Sequence, residues 1–207
     1  MKKITIIGAS GHGKVIADIA RLNGYDDISF IDDNTELVSC GRYRVVGTTD
    51  CINKLDGDFI VGIGNPTVRK MFMEKLGENG KKVVTLIHPQ AVIGEDVLIG
   101  TGSVIMANAV VNPGTKIGNG VIINTCSSVD HDCEISDYVH IAVGAHICGT
   151  VSIGELTWIG AGVTVINNTS VCGNSIVGAG ATVIKNISLK GTYVGIPAKR
   201  INGGTND

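Results

Sequence analysis

The stretch Thr115-Lys116-Ile117-Gly118-Asn119-Gly120-Val121-Ile122-Ile123-Asn124-Thr125-Cys126-Ser127-Ser128-Val129-Asp130-His131-Asp132-Cys133-Glu134-Ile135 places an aliphatic residue at every sixth position. Followed outwards, the series runs from Ile93 to Leu189, seventeen hexads in register. A small or aliphatic residue stands two places before each, as at Thr115, Val121, Ser127 and Cys133. An amphipathic helix repeats every 3.6 residues and a half-buried strand every two, so a period of six fits neither. It is the repeat of a parallel β-helix, whose stacked coils bury one aliphatic column. Three hexads per coil make five to six coils, a column roughly 25 to 30 Å tall. Ser127 and Cys133 fall in the inward phase and read as core.

Composition agrees with a narrow interior. Among 207 residues there are 29 glycines, suited to tight corners, and only eight aromatic residues (three Phe, four Tyr, one Trp). The net charge of −2 gives no nucleic-acid surface. The six cysteines show no C-x-x-C pair or metal-finger spacing and read as reduced thiols. The apolar run after Met1-Lys2-Lys3 ends at Gly8, too short for a signal or a membrane span. A cytoplasmic location with no membrane partner is the expectation.

Ahead of the hexads the pattern changes. Residues 3–7 form an apolar strand that halts at Gly8-Ala9-Ser10-Gly11-His12-Gly13. Val15, Ile16, Ile19, Ala20 and Leu22 then recur at helical spacing up to Asn23-Gly24. Residues 28–31 and 59–63 read as further strands and residues 50–55 as a short helix. Asn65-Pro66 opens a second helix, with Asn as N-cap and Pro in the first turn. Residues 83–87 form a fourth strand. Alternation of this kind predicts a small α/β domain with a Rossmann-like parallel sheet, residues 1–88, followed by the β-helix, residues 89–207.

Two groups of residues could carry chemistry. Glycines after a strand let the backbone approach a phosphate, and the next helix N-terminus presents free N–H groups to it. Asp32, at the end of the following strand, can accept from ribose hydroxyls or a base. The spacing departs from the dinucleotide fingerprint, and a domain under ninety residues suits a mononucleotide or nucleotide sugar better. The second group is His131-Asp132, at a corner two positions past inward Val129. A carboxylate beside an imidazole orients it and raises its basicity, as a general base needs. His140 and His146 point outwards on different faces with no third ligand, so no metal is expected.

The hexads, the run from Asn124 through Asp132 and the tail Tyr193-Val194-Gly195-Ile196-Pro197-Ala198-Lys199 resemble the left-handed β-helix acyltransferases. The glycine loop with Asp32-Asp33 narrows the likeness to their sugar-nucleotide branch. Within it, the chain is most similar to the acetyl-CoA-dependent N-acetyltransferases that act on the 4-amino group of a UDP-4-amino-4,6-dideoxy sugar in bacillosamine biosynthesis. That resemblance implies His131 as general base, Asp132 as its support, and the Gly149 N–H, one coil above, as oxyanion donor. An Asp is one methylene shorter than the Glu also found there, which leaves the length of that contact open. It further implies that Asn124 touches the sugar and that Ser10, Gly11, His12, Asp32, Asp33, Gly64 and Asn65 hold the uridine nucleotide. His140, Ala161 and Ala179 would meet acetyl-CoA, and Lys199 and Arg200 its phosphates. Relatives of this kind are homotrimers with the coenzyme between adjacent columns.

Alternatives remain at this point. An O-acetyltransferase of sialic acid or a related sugar, or an N-acetyltransferase of a GDP-amino sugar, needs a base at the same corner. A nicotinamide oxidoreductase would use the glycine loop but leave the column without work, and a scaffold would bind neither coenzyme nor nucleotide.

Overall fold

The computed structural model describes residues 1–201. Its N-terminal part is a four-stranded parallel sheet of β1 (Lys3–Ile7), β2 (Asp27–Ile31), β5 (Asp58–Val61) and β6 (Lys82–Val83), in the order β2-β1-β5-β6. Between β2 and β5 a small hairpin, β3 (Ser39–Cys40) and β4 (Tyr43–Arg44), had no clear sequence signal. The short helix expected at 50–55 is a 3-10 turn, Thr49–Lys54.

Helix α1 (Gly11–Leu22) buries Gly13, Ile16, Ala17, Ile19 and Ala20, and the helix ends at Asn23. Val15 and Leu22, expected on the buried face, are exposed. Gly13 takes their place because the helix starts hard against the sheet. A Cβ there would stand 3.0 Å from the Phe30 ring and overlap the Gly8 carbonyl. Helix α2 (Pro66–Glu78) starts as its sequence predicts, with the Asn65 side chain accepting from the Val68 N–H at 3.1 Å.

The rest of the described chain is a parallel β-helix, of the left-handed class that the hexads imply, with two-residue strands on three faces. One face stacks Leu86–Ile87, Val104–Ile105, Ile122–Ile123, His140–Ile141, Trp158–Ile159 and Ile176–Val177. The second runs from Val92–Ile93 to Thr182–Val183, the third from Leu98–Ile99 to Ser170–Val171. Partners lie eighteen residues apart, as in Ile123↔Ile141 and Val129↔Ile147. Inward residues of all three faces form one core from Ile105 to Ile187. Ser127 and Cys133 are buried in it, as their phase requires.

Three local readings change. Residues 83–87 are not one strand: Lys82–Val83 closes the α/β sheet, while Leu86–Ile87 pairs with Val104–Ile105 as the first rung of the column. The hexads stop at Val183, because the last coil is two residues short. Ile187 pairs with Val171 and is buried, and Leu189, expected inward, is 63% exposed. The tail then returns to the first face as Thr192–Val194 and folds back antiparallel as Lys199–Ile201.

Corners of the column obey the same count. From Asp96 to Asn174 and on to Gly180, every sixth residue has φ between 55° and 74°, including Asn108, Cys126, Asp132, Tyr138 and Thr150. Asp and Asn tolerate this left-handed region because a short polar side chain can hydrogen-bond locally.

The α/β domain rests on the outer side of the first face. Leu86, Val104 and Ile122 share a buried cluster with Ile4, Ile16, Ile19 and Phe30. Higher on the same ladder come His140, Trp158 and Ile176, where the cover runs out: His140 is 5% exposed and Ile176 50%.

Candidate active site

The sheet order reverses direction between β1 and β5, so their carboxyl ends open a crevice, the usual ligand position in an open parallel sheet. Gly8 follows β1 and Gly62 through Asn65 follow β5, which brings the glycine loop and the Gly64-Asn65 turn to one place. Asp32 reaches in from the end of β2. One of its oxygens accepts from the Ala9 N–H at 2.7 Å, the other from the Asn34 N–H at 2.9 Å, so it fixes the glycine loop. Cavities of about 310 Å³ and 120 Å³ both include Asp32 in their lining. Asp33 has both oxygens on Thr49, at 2.9 and 3.2 Å, and caps the 3-10 turn. Ser10 is the exposed N-cap of α1 and makes no side-chain capping bond.

His12, in the first turn of α1, lies towards the column. Its Nε2 is buried without a hydrogen-bond partner among the described residues. Burial, with the Arg69 charge second, pushes its pKa down to about 4, so the ring is neutral near pH 7. Its ring centroid lies 6.1 Å from that of His140, which sits 4.2 Å from the Trp158 ring. His140 was expected outward, and it is outward of the column, but the α/β domain covers it.

Arg69 had no signal in the sequence reading, which took its helix for an ordinary amphipathic one. It is 1% exposed, and its five guanidinium N–H groups find backbone carbonyls on both sides of the domain boundary. Those are Ile63 (3.0 Å), Gly64 (2.7 Å), Gly120 (2.6 Å), Tyr138 (2.7 Å) and Val139 (3.4 Å). Burial lowers its pKa to about 10, which leaves it charged at neutral pH.

His131 occupies a different corner. It follows Ser128–Val129 on the second face and precedes Glu134–Ile135 on the third. Asn124, Ala161 and Ala179 all lie at the corner between the first and second faces. The imidazole is exposed, and its Nδ1 donates to Asp132 Oδ2 at 2.9 Å, which settles the question of reach for the shorter acid. The left-handed backbone of Asp132 (φ 56°) turns its carboxylate back beside the ring. That hydrogen bond, with the charges of Asp130 and Asp132, raises the His131 pKa above the usual imidazole value. Asp130 also accepts the His131 N–H at 2.9 Å and the Asn112 amide at 2.7 Å, fixing the corner from below. With Nδ1 protonated, Nε2 carries the free lone pair.

Gly149 lies one coil above His131 and is buried beneath its ring. A Cβ there would stand 2.5 Å from His131 Nε2, and among the described residues the Gly149 N–H has no acceptor. Gly149→Ala is therefore expected to displace the imidazole and lower kcat by about 100-fold with little change in melting temperature. Steady-state kinetics beside a thermal melt check this; unchanged kcat would show that the ring needs no such seat.

Lys199 and Arg200 are exposed on the returning tail strand, against a cavity of about 260 Å³ that includes Lys185, Tyr193 and Lys199. Among the described residues no cluster of His, Cys, Asp and Glu could hold a metal ion, and no helix is long and apolar enough to cross a membrane.

An open-sheet crevice in an α/β domain docked on a parallel β-helix, with a carboxylate-supported histidine at a coil corner, is the arrangement of a hexapeptide-repeat acyltransferase. In comparison with known proteins, residues 3–76 match the PglD N-terminal domain and residues 91–131 the bacterial transferase hexapeptide repeats. The acetyltransferase domain of PglB from Neisseria gonorrhoeae is 41% identical over 97% of this chain and 100% of that one, with a TM-score of 0.94. A second structure of that domain is a complex with acetyl coenzyme A. A mutant of perosamine N-acetyltransferase from Caulobacter crescentus, in complex with CoA and GDP-perosamine, is 30% identical over 98% of both chains, TM-score 0.94. The UDP-N-acetylbacillosamine N-acetyltransferase of Bacillus subtilis is 37% identical over 115 residues, 52% of each chain, so the match spans about half the length of that curated relative. The chain belongs to the family of hexapeptide-repeat acetyltransferases with a PglD N-terminal domain.

Proposed function

We propose that the protein transfers an acetyl group from acetyl-CoA to the 4-amino group of a UDP-4-amino-4,6-dideoxy sugar. The observation that carries this reading is His131 itself: a base with its lone pair exposed, its other nitrogen held by Asp132 and a free backbone N–H one coil above. The amine nitrogen attacks the thioester carbonyl while His131 Nε2 takes its proton. The Gly149 N–H faces the oxygen as it becomes an oxyanion. The C–S bond then breaks, and the CoA thiolate leaves with the proton that His131 returns. A single backbone donor and a general base supply the chemistry without an acyl-enzyme.

The nucleotide crevice and Asn124 lie on one side of the column and His131 at another corner. A homotrimer in which one chain's His131 corner meets the neighbour's Asn124, Ala161 and Ala179 corner would unite them, with acetyl-CoA in the groove and Lys199 and Arg200 on its phosphates. Uridine would sit against Ser10, Gly11, His12, Asp32 and Gly64-Asn65. A GDP-amino sugar is the second reading, favoured by the likeness to the perosamine enzyme.

Release of CoA, measured with a panel of UDP-4-amino sugars, GDP-amino sugars and sialic acids, tests the assignment. The UDP-4-amino-4,6-dideoxy sugar should give a kcat/KM at least about tenfold above the rest, the margin expected where a site pairs specific polar groups. A preference for a GDP sugar selects the second reading, and turnover of sialic acid alone overturns both.

A further inference from the structure

We infer that the three copies of His146 in the proposed homotrimer meet on its axis and make assembly of the enzyme depend on pH. The inference rests on the trimeric acetyltransferase reading above and deepens it.

Only one face of the column is free to turn to the axis. The first face carries the α/β domain on Leu86, Val104 and Ile122. The third carries Lys116 and Glu134, exposed and paired across one rung at 3.4 Å, as suits a face in solvent. On the second, the outward residues are Val92, Val110, Ser128, His146, Thr164 and Thr182, with no permanent charge among them. The two corners proposed to meet between chains, those of His131 and of Asn124, are the two that bound this face. Three columns joined corner to corner therefore enclose their second faces in a closed ring of heterologous contacts.

The dimensions bring the side chains together. Eighteen residues per coil over three faces give six to a face, at most about 20 Å at the usual rise per residue. Three such faces closing a triangle stand about 6 Å from its centre, which is the reach of an imidazole from its backbone. His146 is exposed, and its Nδ1 lies 2.8 Å from the hydroxyl of Ser128, its rung partner one coil below. That bond fixes the ring and leaves Nε2 without a partner among the described residues.

Neighbouring rungs of the face add no titratable group. From the flanking corners, Cys126 borders the ring on one side and Asp130, His131, Asp132 and Cys148 on the other. Asp130 and Asp132 act on the His146 of their own chain in both states, so what assembly adds is one imidazole against two others. An imidazole takes up a proton as pH falls through about 6.5. Inside the ring each bound proton opposes the next, so the trimer holds fewer protons than three separate chains, and falling pH favours the separate chains. A ring that admits one proton of a possible three rejects two, and each rejected proton weakens assembly about tenfold per pH unit below that midpoint.

Fluorescence-detected sedimentation at about pH 8 and about pH 5.5, with far-UV circular dichroism to follow the columns, tests this in wild type, His146→Gln and His146→Leu. The wild-type trimer dissociation constant should rise by about 100-fold over that range, and that of His146→Gln by less than about tenfold, since His131 titrates in both. His146→Leu supplies the same comparison should the Gln variant not assemble. At the higher pH, kcat should stay within about twofold of wild type in each variant that assembles. An equal rise in wild type and variants, no rise in wild type, wild-type columns that unfold before they separate, or both variants failing to assemble overturns the ring and leaves acetyl transfer standing. A wild type that transfers acetyl groups as a monomer overturns the ring and the trimer together. A wild type inactive on every nucleotide amino sugar at the higher pH overturns the reading beneath them.

Discussion

Replacing His131 by Ala is expected to lower kcat by about 10²- to 10⁴-fold, the usual contribution of a positioned general base, and to leave the melting temperature unchanged. The two halves of that expectation come from different features of one residue. The side chain stands in solvent at a coil corner and its one side-chain bond goes to the equally exposed Asp132. Its backbone, by contrast, is held by Asp130 and by the Thr150 N–H on the coil above, and neither contact depends on the imidazole. Loss of activity without loss of fold is therefore the signature of chemistry at this corner. A variant with near-normal kcat would remove His131 from the mechanism, and a variant that unfolds would make it a structural residue. Steady-state assays with both substrates saturating, run beside a thermal melt, distinguish these results.

Arg69→Met carries the second large effect, this time on stability. The substitution keeps most of the side-chain volume but removes the donor from five carbonyls; Gly64 keeps His140 Nδ1 and Val139 keeps the Ile122 N–H, while those of Ile63, Gly120 and Tyr138 are left without a partner among the described residues. Each buried acceptor without a partner costs about 1–3 kcal/mol, less where water can enter, so a net loss of about 3 kcal/mol or more is expected. For a chain of this size that is about 10 °C in melting temperature. The partly exposed Lys70–Glu155 pair, at 2.7 Å and on the neighbouring residue, is a useful contrast. Lys70→Met should leave the melt almost unmoved, because water screens an ion pair on the surface. If both variants melt like the wild type, the buried guanidinium is not what joins the two domains. KM for the nucleotide sugar should rise in Arg69→Met as well, since the Gly64-Asn65 turn loses its anchor.

The column was legible because its rule is arithmetic. A fixed period of six assigns every residue from Ile93 to Val183 to an inward place, an outward place or a corner, and the strand pairings follow that count without exception. The count fails at Leu189, where a corner is shortened by two residues and nothing in the local sequence marks the deletion. The α/β domain was legible as a kind of element order, less so in detail: α1 buries Ala17 and Gly13 where Val15 and Leu22 look more apolar, because its angle to the sheet is set by contacts at its first turn.

The candidate site was half legible. His131, Asp132 and Gly149 stand eighteen residues or one residue apart on the hexad grid, so their meeting could be read by counting. The covering of His140 could not, since outward positions on a column are exposed until another domain lands on them. A clue was present in the outward residues Leu86, Val104 and Ile122, which are aliphatic where the corresponding residues of the third face, Lys116 and Glu134, are charged. Arg69 left no trace at all. A buried cation satisfied by carbonyls depends on backbone from three separate segments, and single-chain periodicity does not register such convergence.

The pH dependence of kcat/KM for the nucleotide sugar tests the base assignment most directly. His131 must be neutral to accept a proton, so activity should rise with pH through its pKa, with unit slope, and reach a plateau. Because Asp132 stabilises the imidazolium, the midpoint should lie above the ordinary imidazole value of about 6.5. In Asp132→Asn it should move to lower pH, while any limb from the sugar's own amine stays in place. A profile with no imidazole limb, or a midpoint that Asp132→Asn does not shift, would contradict His131 as the base.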